Sequence, residues 1–149
     1  MLIRLAELKD AQDILSWRND SLTRAMSRND ELIDEQGHEA WFERVLKNRQ
    51  IILLVGVIDR PIGMVRFDRV NRTKNWEISV ALASKERGKG LGRQLLNLAL
   101  SHFFDIVPEV VLLAEIKQIN DVSRRLFESV GFQHESSDGE MLQFTLSRL

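Results

Sequence analysis

The stretch Ser84-Lys85-Glu86-Arg87-Gly88-Lys89-Gly90-Leu91-Gly92-Arg93 lies between a predicted strand and a predicted helix, and it decides how the chain is interpreted. Its three glycines let the backbone turn sharply and approach a ligand closely. The first N–H groups of a helix have no partner inside that helix and point outward at the positive end of its dipole. Four basic residues against one acid, Glu86, give the segment a local charge of +3. We therefore predict a phosphate-binding site here.

The flanking segments have clear periodicity. Trp76 to Leu82 alternates with a period of two, which predicts a strand with Trp76, Ile78, Val80 and Leu82 on one face. An apolar stripe after the loop predicts a helix from about Gly90 to Phe104.

Similar patterns divide the rest of the chain into strands and helices. Further strands are predicted at Leu2–Leu5, Ile51–Ile58, Ile62–Val70, Val110–Ile116, Phe132–His134 and Met141–Leu146, the last two around a turn at Ser136–Gly139. Further helices are predicted from a cap at Asp10 to near Trp17–Asp20, from about Glu35 to Asn48, and from a cap at Asn120 or Asp121 to Gly131, with Ser21–Asp34 as a polar connection. This order indicates an α/β protein whose mixed sheet carries helices on both faces.

The composition indicates one ordinary folded unit, which we expect to cover residues 1–149. The absence of cysteine excludes a disulfide framework, a thiolate metal site and a cysteine nucleophile, and it favours a cytoplasmic location. A formal charge of −1 disfavours nucleic acid as a partner. No apolar run or leader pattern suggests a membrane, and His38, His102 and His134 are too scattered to predict a metal site.

Two families of phosphate-binding loops do not match the glycine-rich segment. A nucleoside-triphosphate P-loop needs Lys and Ser or Thr after its last glycine, where this chain has Arg93-Gln94, and a dinucleotide fingerprint needs a third glycine at position 93. The spacing Arg87-x-x-Gly90-x-Gly92 does match the acetyl-coenzyme A loop of the Gcn5-related N-acetyltransferase (GNAT) superfamily. The sequence resembles that superfamily.

A second segment strengthens the resemblance. Glu115 to Asn120, then Ser123, Leu126-Phe127-Glu128 and Gly131-Phe132 look like the other motif of the superfamily. The two motifs occur in the expected order and together cover about Trp76 to Phe132.

The resemblance implies the acyl-CoA N-acyltransferase fold, an α/β fold with a mixed, mostly antiparallel sheet and one splayed parallel pair, here Trp76–Leu82 and Val110–Ile116. It also implies acetyl-CoA as the acetyl donor, bound between those strands, and no metal. The implied cofactor-binding residues are Ile78, Val80 and Leu82 through their backbone, Gly88, Gly90, Leu91 and Gly92 through their amides, Arg87, Lys89 and Arg93 through their charges, and Asn120 through its side chain. Asn120 is equally well interpreted as a helix cap.

The implied reaction is direct attack of a primary amine on the thioester, without an acyl-enzyme. Alkylamines are mostly protonated near pH 7, so a base is needed. Glu115 matches the base of ribosomal-protein alanine N-acetyltransferases, and Glu77 matches that of the histone-type enzymes. We place Glu115 slightly ahead, although either carboxylate could simply lie on a solvated strand face.

One departure from the superfamily concerns the acid that protonates the leaving thiolate. Many members have a tyrosine at the position of Phe127, and this chain contains no tyrosine. A thiolate leaves readily because a simple thiol has a pKa of about 8.5. Ser123 could donate a proton, but we interpret Phe127 as core and Ser123 as a residue that lines the cofactor site.

The N-terminal region suggests an acceptor. Trp17, Arg18, Asn19, His38 and Trp41 resemble the acceptor region of nucleotide-aminosugar N-acetyltransferases, and the ribosomal-protein enzymes share a weaker version. We therefore predict a small-molecule amine, first an amino-sugar nucleotide and second a protein N-terminus, handled by a monomer or homodimer. The alternative is that both tryptophans are core, Arg18 pairs with an acid and His38 is an ordinary helix residue. A CoA-binding sensor without catalysis is the alternative from another functional class.

Overall fold

Seven strands form one sheet in a computed structural model that describes residues 1–149. The strands are β1 (Leu2–Leu5), β2 (Ile51–Ile58), β3 (Arg60–Arg69), β4 (Asn75–Leu82), β5 (Val110–Lys117), β6 (Gln133–Asp138) and β7 (Met141–Arg148). Their order across the sheet is β1-β2-β3-β4-β5-β7-β6. All neighbours are antiparallel except β4 and β5, which are parallel.

Five α-helices flank the sheet. They are α1 (Ala11–Asn19), α2 (Ser21–Ala25), α3 (Glu35–Lys47), α4 (Leu91–Ile106) and α5 (Asp121–Ser129), with short 3₁₀ turns at Leu8–Asp10 and Ser84–Glu86. Helices α1 and α3 pack on one face of the sheet, and α4 and α5 pack on the other. No helix is both long and apolar enough to span a bilayer.

The larger apolar core lies between the sheet and α4. Phe67 of β3 stacks on Phe103 of α4 at 4.1 Å between ring centroids, and Trp76 of β4 meets Phe103 edge-on at 5.2 Å. Stacked and edge-on pairs at these distances add to the stabilisation that burial provides. Because this core holds α4 against the sheet, it also fixes the start of α4 next to the end of β4.

The parallel pair is short. β4 and β5 pair only where Asn75–Glu77 lies beside Val111–Leu113. Beyond these residues the two strands separate, and β5 instead continues its pairing with β7 as far as Lys117. The expected α/β fold, with a mostly antiparallel sheet, a splayed parallel pair and helices on both faces, is confirmed.

Three local predictions were wrong. Asp10 occupies the predicted N-cap position of α1, but its side chain makes no capping hydrogen bond, because Arg4 and the Glu7 amide hold its carboxylate at 2.7 to 2.8 Å. The polar connection after α1 contains α2. Strand β6 begins at Gln133 and continues to Asp138, past the expected turn at Ser136; all its residues are exposed, so no alternation of apolar side chains marks it in the sequence.

Candidate active site

The glycine-rich loop presents a row of free amides at the start of α4. Gly88 and Gly90 both have φ of +76°, a left-handed conformation that residues with a Cβ adopt at a cost. None of the six amides from Gly88 to Arg93 donates a hydrogen bond within the protein. Consecutive free N–H groups at a helix N-terminus form a site for phosphate oxygens.

The basic side chains of the loop point in different directions. Lys89 lies 3.2 Å from Glu86 within the loop, and Arg93 is exposed without an ion pair. Arg87 instead reaches the junction of α1 and α2, where its Nη2 donates to Asp20 Oδ2 at 2.6 Å and to Thr23 Oγ1 at 3.1 Å. This contact holds the pKa of Asp20 below its ordinary value.

The edge of β4 that faces β5 is bare beyond the short parallel pairing. The Lys74 carbonyl accepts from Val111 on β5, whereas the Asn75 carbonyl accepts from Val70 on the β3 side. Since the backbone groups of alternate residues point to opposite edges of a strand, Ile78, Val80 and Leu82 face β5. Val80 and Leu82 lie where β5 has diverged, so an extended ligand could pair with their backbone groups.

The second motif borders the same gap. The Asn120 side-chain oxygen accepts from the Ser123 amide at 3.1 Å, which confirms Asn120 as the cap of α5 and leaves its NH₂ group free. The Ser123 hydroxyl has no partner. Phe127 is 4% exposed and meets Phe132 edge-on, so it belongs to the core as expected.

Glu77 and Glu115 lie on neighbouring strands, and the charge of Glu115 acts on Glu77. Glu77 forms no ion pair, and partial desolvation, followed by the charges of Glu115 and Asp68, raises its pKa above the ordinary value of 4.5. Glu115 accepts from Arg28 at 3.0 Å (Nε) and 2.6 Å (Nη2). The structure therefore contains one carboxylate with increased proton affinity and one that is engaged by a guanidinium.

Residues 20–28, which we call the strap, bridge the two arms of the splayed pair. At one end Asp20 binds Arg87, which follows β4. At the other end the strap binds two residues of β5. The Ala25 carbonyl accepts from Lys117 Nζ at 2.8 Å, and Arg28 pairs with Glu115. The sequence analysis missed Arg28 and Lys117, because contacts between residues about 90 positions apart leave no local pattern.

The structure separates the five residues suggested for the acceptor. Trp17 is 5% exposed and His38 is 1% exposed, so both are mainly core side chains. The side-chain amide of Asn19 is bound to the backbone of Ile33: its Nδ2 donates to the Ile33 carbonyl at 2.7 Å, and its Oδ1 accepts from the Ile33 N–H at 2.8 Å. Arg18 and Trp41 are both partly exposed, and they stack with 3.7 Å between the guanidinium carbon and the ring centroid. No three His, Asp or Glu side chains come together in an arrangement that could hold a metal ion.

Comparison with known proteins gives a family match over most of the chain. The sequence model of one protein family, the acetyltransferase (GNAT) domain, matches residues 1–133. The protein YwnH of Bacillus subtilis (strain 168), provisionally named a phosphinothricin acetyltransferase, is 27% identical in an alignment of 140 residues that covers 89% of this chain and 83% of YwnH.

Solved structures share the fold at lower identity. Ribosomal-protein-alanine N-acetyltransferase from Brucella melitensis is 24% identical, with a TM-score of 0.84 and 99% of each chain covered. The yncA protein of Salmonella typhimurium, whose structure contains its cofactor acetyl-CoA, is also 24% identical, with a TM-score of 0.83 over 100% of this chain and 94% of yncA.

Proposed function

The chain belongs to the GNAT acetyltransferase family and is an acyltransferase, and we propose that it transfers an acetyl group from acetyl-CoA directly to a primary amine. The observation that carries the proposal is the row of six free amides at the start of α4, placed at the mouth of a gap between two diverging strands. One domain, residues 1–149, provides both sides of this site.

The donor half of the site consists mainly of backbone groups. In the proposal the amides of Gly88, Gly90, Leu91 and Gly92 hold the pyrophosphate, with Lys89 and Arg93 as nearby positive charges. The bare edge of β4 at Val80 and Leu82, directly after Ile78, pairs with the pantetheine arm, and the free NH₂ group of Asn120 donates to the same arm. Acetyl-CoA supplies an activated thioester. The residues present suit it, because they offer unpartnered donors where phosphate oxygens need them.

Arg87 has a different role in the proposal from the one suggested by the sequence. Its guanidinium is already bound to Asp20 and Thr23, so it supports the strap rather than the phosphates.

We assign the role of general base to Glu77. Its raised pKa increases its ability to accept a proton, and no cation neutralises it within ion-pair distance. Glu115, which the sequence placed slightly ahead, is bound to Arg28 and serves in this proposal to position the strap.

Protonation of the departing thiolate needs no tyrosine. The Ser123 hydroxyl is free of protein partners and lies one turn before Phe127 on α5. Ser123 can therefore donate directly or through water, and a weakly basic thiolate needs little assistance.

The acceptor faces the side of the sheet that carries α1 and α3. Within the class of small primary amines, an amino-sugar nucleotide remains our proposed acceptor, supported by the partly exposed, stacked side chains of Arg18 and Trp41. The name of YwnH adds phosphinothricin, an amino acid, as a second acceptor to test. A protein N-terminus belongs in the same panel.

The test is release of free thiol from acetyl-CoA, followed against a panel of amines, together with titration calorimetry of CoA. CoA binding together with amine-dependent thiol release is the expected result. CoA binding without turnover of any amine would instead support a non-catalytic CoA sensor, and absence of CoA binding would overturn both functions.

A further inference from the structure

Arg18 is a partly buried cation that the protein does not neutralise. Its guanidinium carbon lies 3.7 Å from the centroid of the Trp41 ring, and its Nη1 lies 3.0 Å from His38 Nδ1. None of the ion pairs of the protein includes Arg18. The alternative that Arg18 pairs with an acid is therefore wrong.

The neighbours of Arg18 orient its charge without cancelling it. His38 Nε2 lies 2.7 Å from the Ala11 carbonyl and must donate to it, so the hydrogen bonds assign Nδ1 as the acceptor for Arg18. Burial lowers the pKa of His38 below 6.5, which keeps the ring neutral at pH 7. Partial burial of an unpaired charge is costly, and proteins usually provide a counter-ion.

A second guanidinium lies over the same ring. The Arg66 guanidinium carbon is 5.1 Å from the Trp41 centroid, and Arg66 pairs with Asp68 through two hydrogen bonds of 2.7 Å. Burial and the charge of Arg66 lower the pKa of Arg18 to about 10, so Arg18 still carries its charge at neutral pH. Arg66 is neutralised, and Arg18 is not.

On the side of the sheet that carries α1 and α3, the charges change from positive to negative along one direction. Arg66 and Asp68 are both on β3, and Asp68 lies directly beside Glu77 in the pairing of β3 with β4. The face therefore runs from an uncompensated cation at Arg18, through the Arg66–Asp68 pair, to the carboxylate proposed as the base. A ligand with an amine at one end and an anion at the other matches this order.

We propose that Arg18 is the specificity-determining residue of the acceptor site, and that it binds an anionic group, carboxylate, phosphinate or phosphate, carried by the acceptor amine. The inference rests on the proposed function and narrows its substrate class. It places amines that carry only positive charge, such as polyamines, at a disadvantage, because their second cation would meet Arg18. The Arg18 fork suits bidentate binding of a carboxylate or phosphate.

The test is titration calorimetry on the CoA-saturated protein with three probes: UDP, phosphinothricin and spermidine. UDP represents the diphosphate of a nucleotide sugar, and phosphinothricin represents an anionic amino acid. We expect at least one of the two anions to bind, and the one that binds identifies the source of the anionic group. Arg18→Gln should weaken that binding by about ten- to a hundred-fold, the usual worth of a hydrogen bond to a charged group. Arg49→Gln, which removes an exposed and unpaired arginine, should leave it unchanged.

The binding of CoA separates this inference from the proposed function. CoA affinity should be the same in wild type and Arg18→Gln, and thermal unfolding shows whether the variant is folded. If Arg18→Gln does not fold, Arg18→Lys keeps the charge but loses the fork, and we expect a smaller loss of anion affinity. The inference is overturned if CoA binds but neither anion does, if spermidine binds more tightly than both anions, or if the folded variant binds the anion as wild type does. Failure of CoA to bind would overturn the proposed function instead.

Discussion

Replacing Glu77 by Gln is the most informative perturbation of the proposed catalytic site. The change keeps the shape of the side chain and removes the group that accepts the proton of the amine. A positioned general base contributes about 10² to 10⁴ in rate, which corresponds to about 3 to 5 kcal/mol of transition-state stabilisation. We therefore expect kcat to fall by about that factor, measured as thiol release, while the affinity for CoA stays unchanged.

The stability of the variant distinguishes a lost base from a lost fold. Because the folded-state pKa of Glu77 is raised, the folded protein holds this proton more tightly than the unfolded chain does. Ionisation near neutral pH therefore weakens the folded state, and Gln removes that cost. We expect the Tm of Glu77→Gln at pH 7 to equal or slightly exceed that of the wild type.

The pH profile tests the direction in which each neighbouring charge shifts the pKa of Glu77. In the wild type, kcat/KM should fall as the pH decreases through a pKa above 4.5, because the base becomes protonated. Arg28 lowers the pKa of Glu77, so Arg28→Gln should move this acidic limb to higher pH. Glu115 raises that pKa, so Glu115→Gln should move the limb to lower pH while keeping most of the rate. If Glu115→Gln abolishes turnover and Glu77→Gln does not, the assignment of the base is wrong.

Three further outcomes follow from the geometry. Gly90→Ala, at φ +76°, should lower the free energy of unfolding by about 1 kcal/mol, displace the loop amides and weaken CoA binding about ten-fold by calorimetry. The control Gly139→Ala, at φ +60° in the β6–β7 turn, should leave CoA affinity unchanged. Equal effects of the two variants on CoA affinity would show that the loop geometry is irrelevant. Arg4→Met strands the buried Asp10 carboxylate and should lower the free energy of unfolding by about 3 to 5 kcal/mol at pH 7. Burial raises the pKa of Asp10, but the hydrogen bonds from Arg4 and the Glu7 amide, together with the charge of Arg4, outweigh it and hold that pKa below 3.8. The difference in unfolding free energy between variant and wild type, measured by denaturant titration, should therefore shrink as the pH falls through the depressed pKa. A difference that is independent of pH would show that the Arg4–Asp10 pair is not its cause. Phe127→Tyr should destabilise the core by about 1 to 3 kcal/mol without raising kcat, and a faster variant would show that thiolate protonation limits the rate.

Local patterns predicted the parts of the fold that depend on burial. The alternation of Trp76, Ile78 and Val80 predicted β4, and the apolar stripe of α4 predicted the helix that fixes the phosphate loop. Helix α2 was not predicted because it is five residues long, buries no side chain and depends on distant contacts.

The same distinction between local patterns and distant contacts explains which parts of the site the sequence could predict. The free amides follow from glycine spacing and a helix start, which are local features. The engagement of Arg87 by Asp20, the pairing of Arg28 with Glu115, and the absence of an acid at Arg18 depend on segments that meet only after folding. The sequence could name Glu77 and Glu115 together, but only their surroundings distinguish the free carboxylate from the engaged one.

The most direct test of the central claim is an amide NMR titration of the ¹⁵N-labelled protein with CoA. The account predicts that the amides of Gly88, Gly90, Leu91 and Gly92 shift strongly and become protected from hydrogen exchange, because they gain phosphate acceptors. Pantetheine, which lacks the pyrophosphate, should leave them unmoved. Saturable CoA binding that leaves these amides unperturbed would contradict the account.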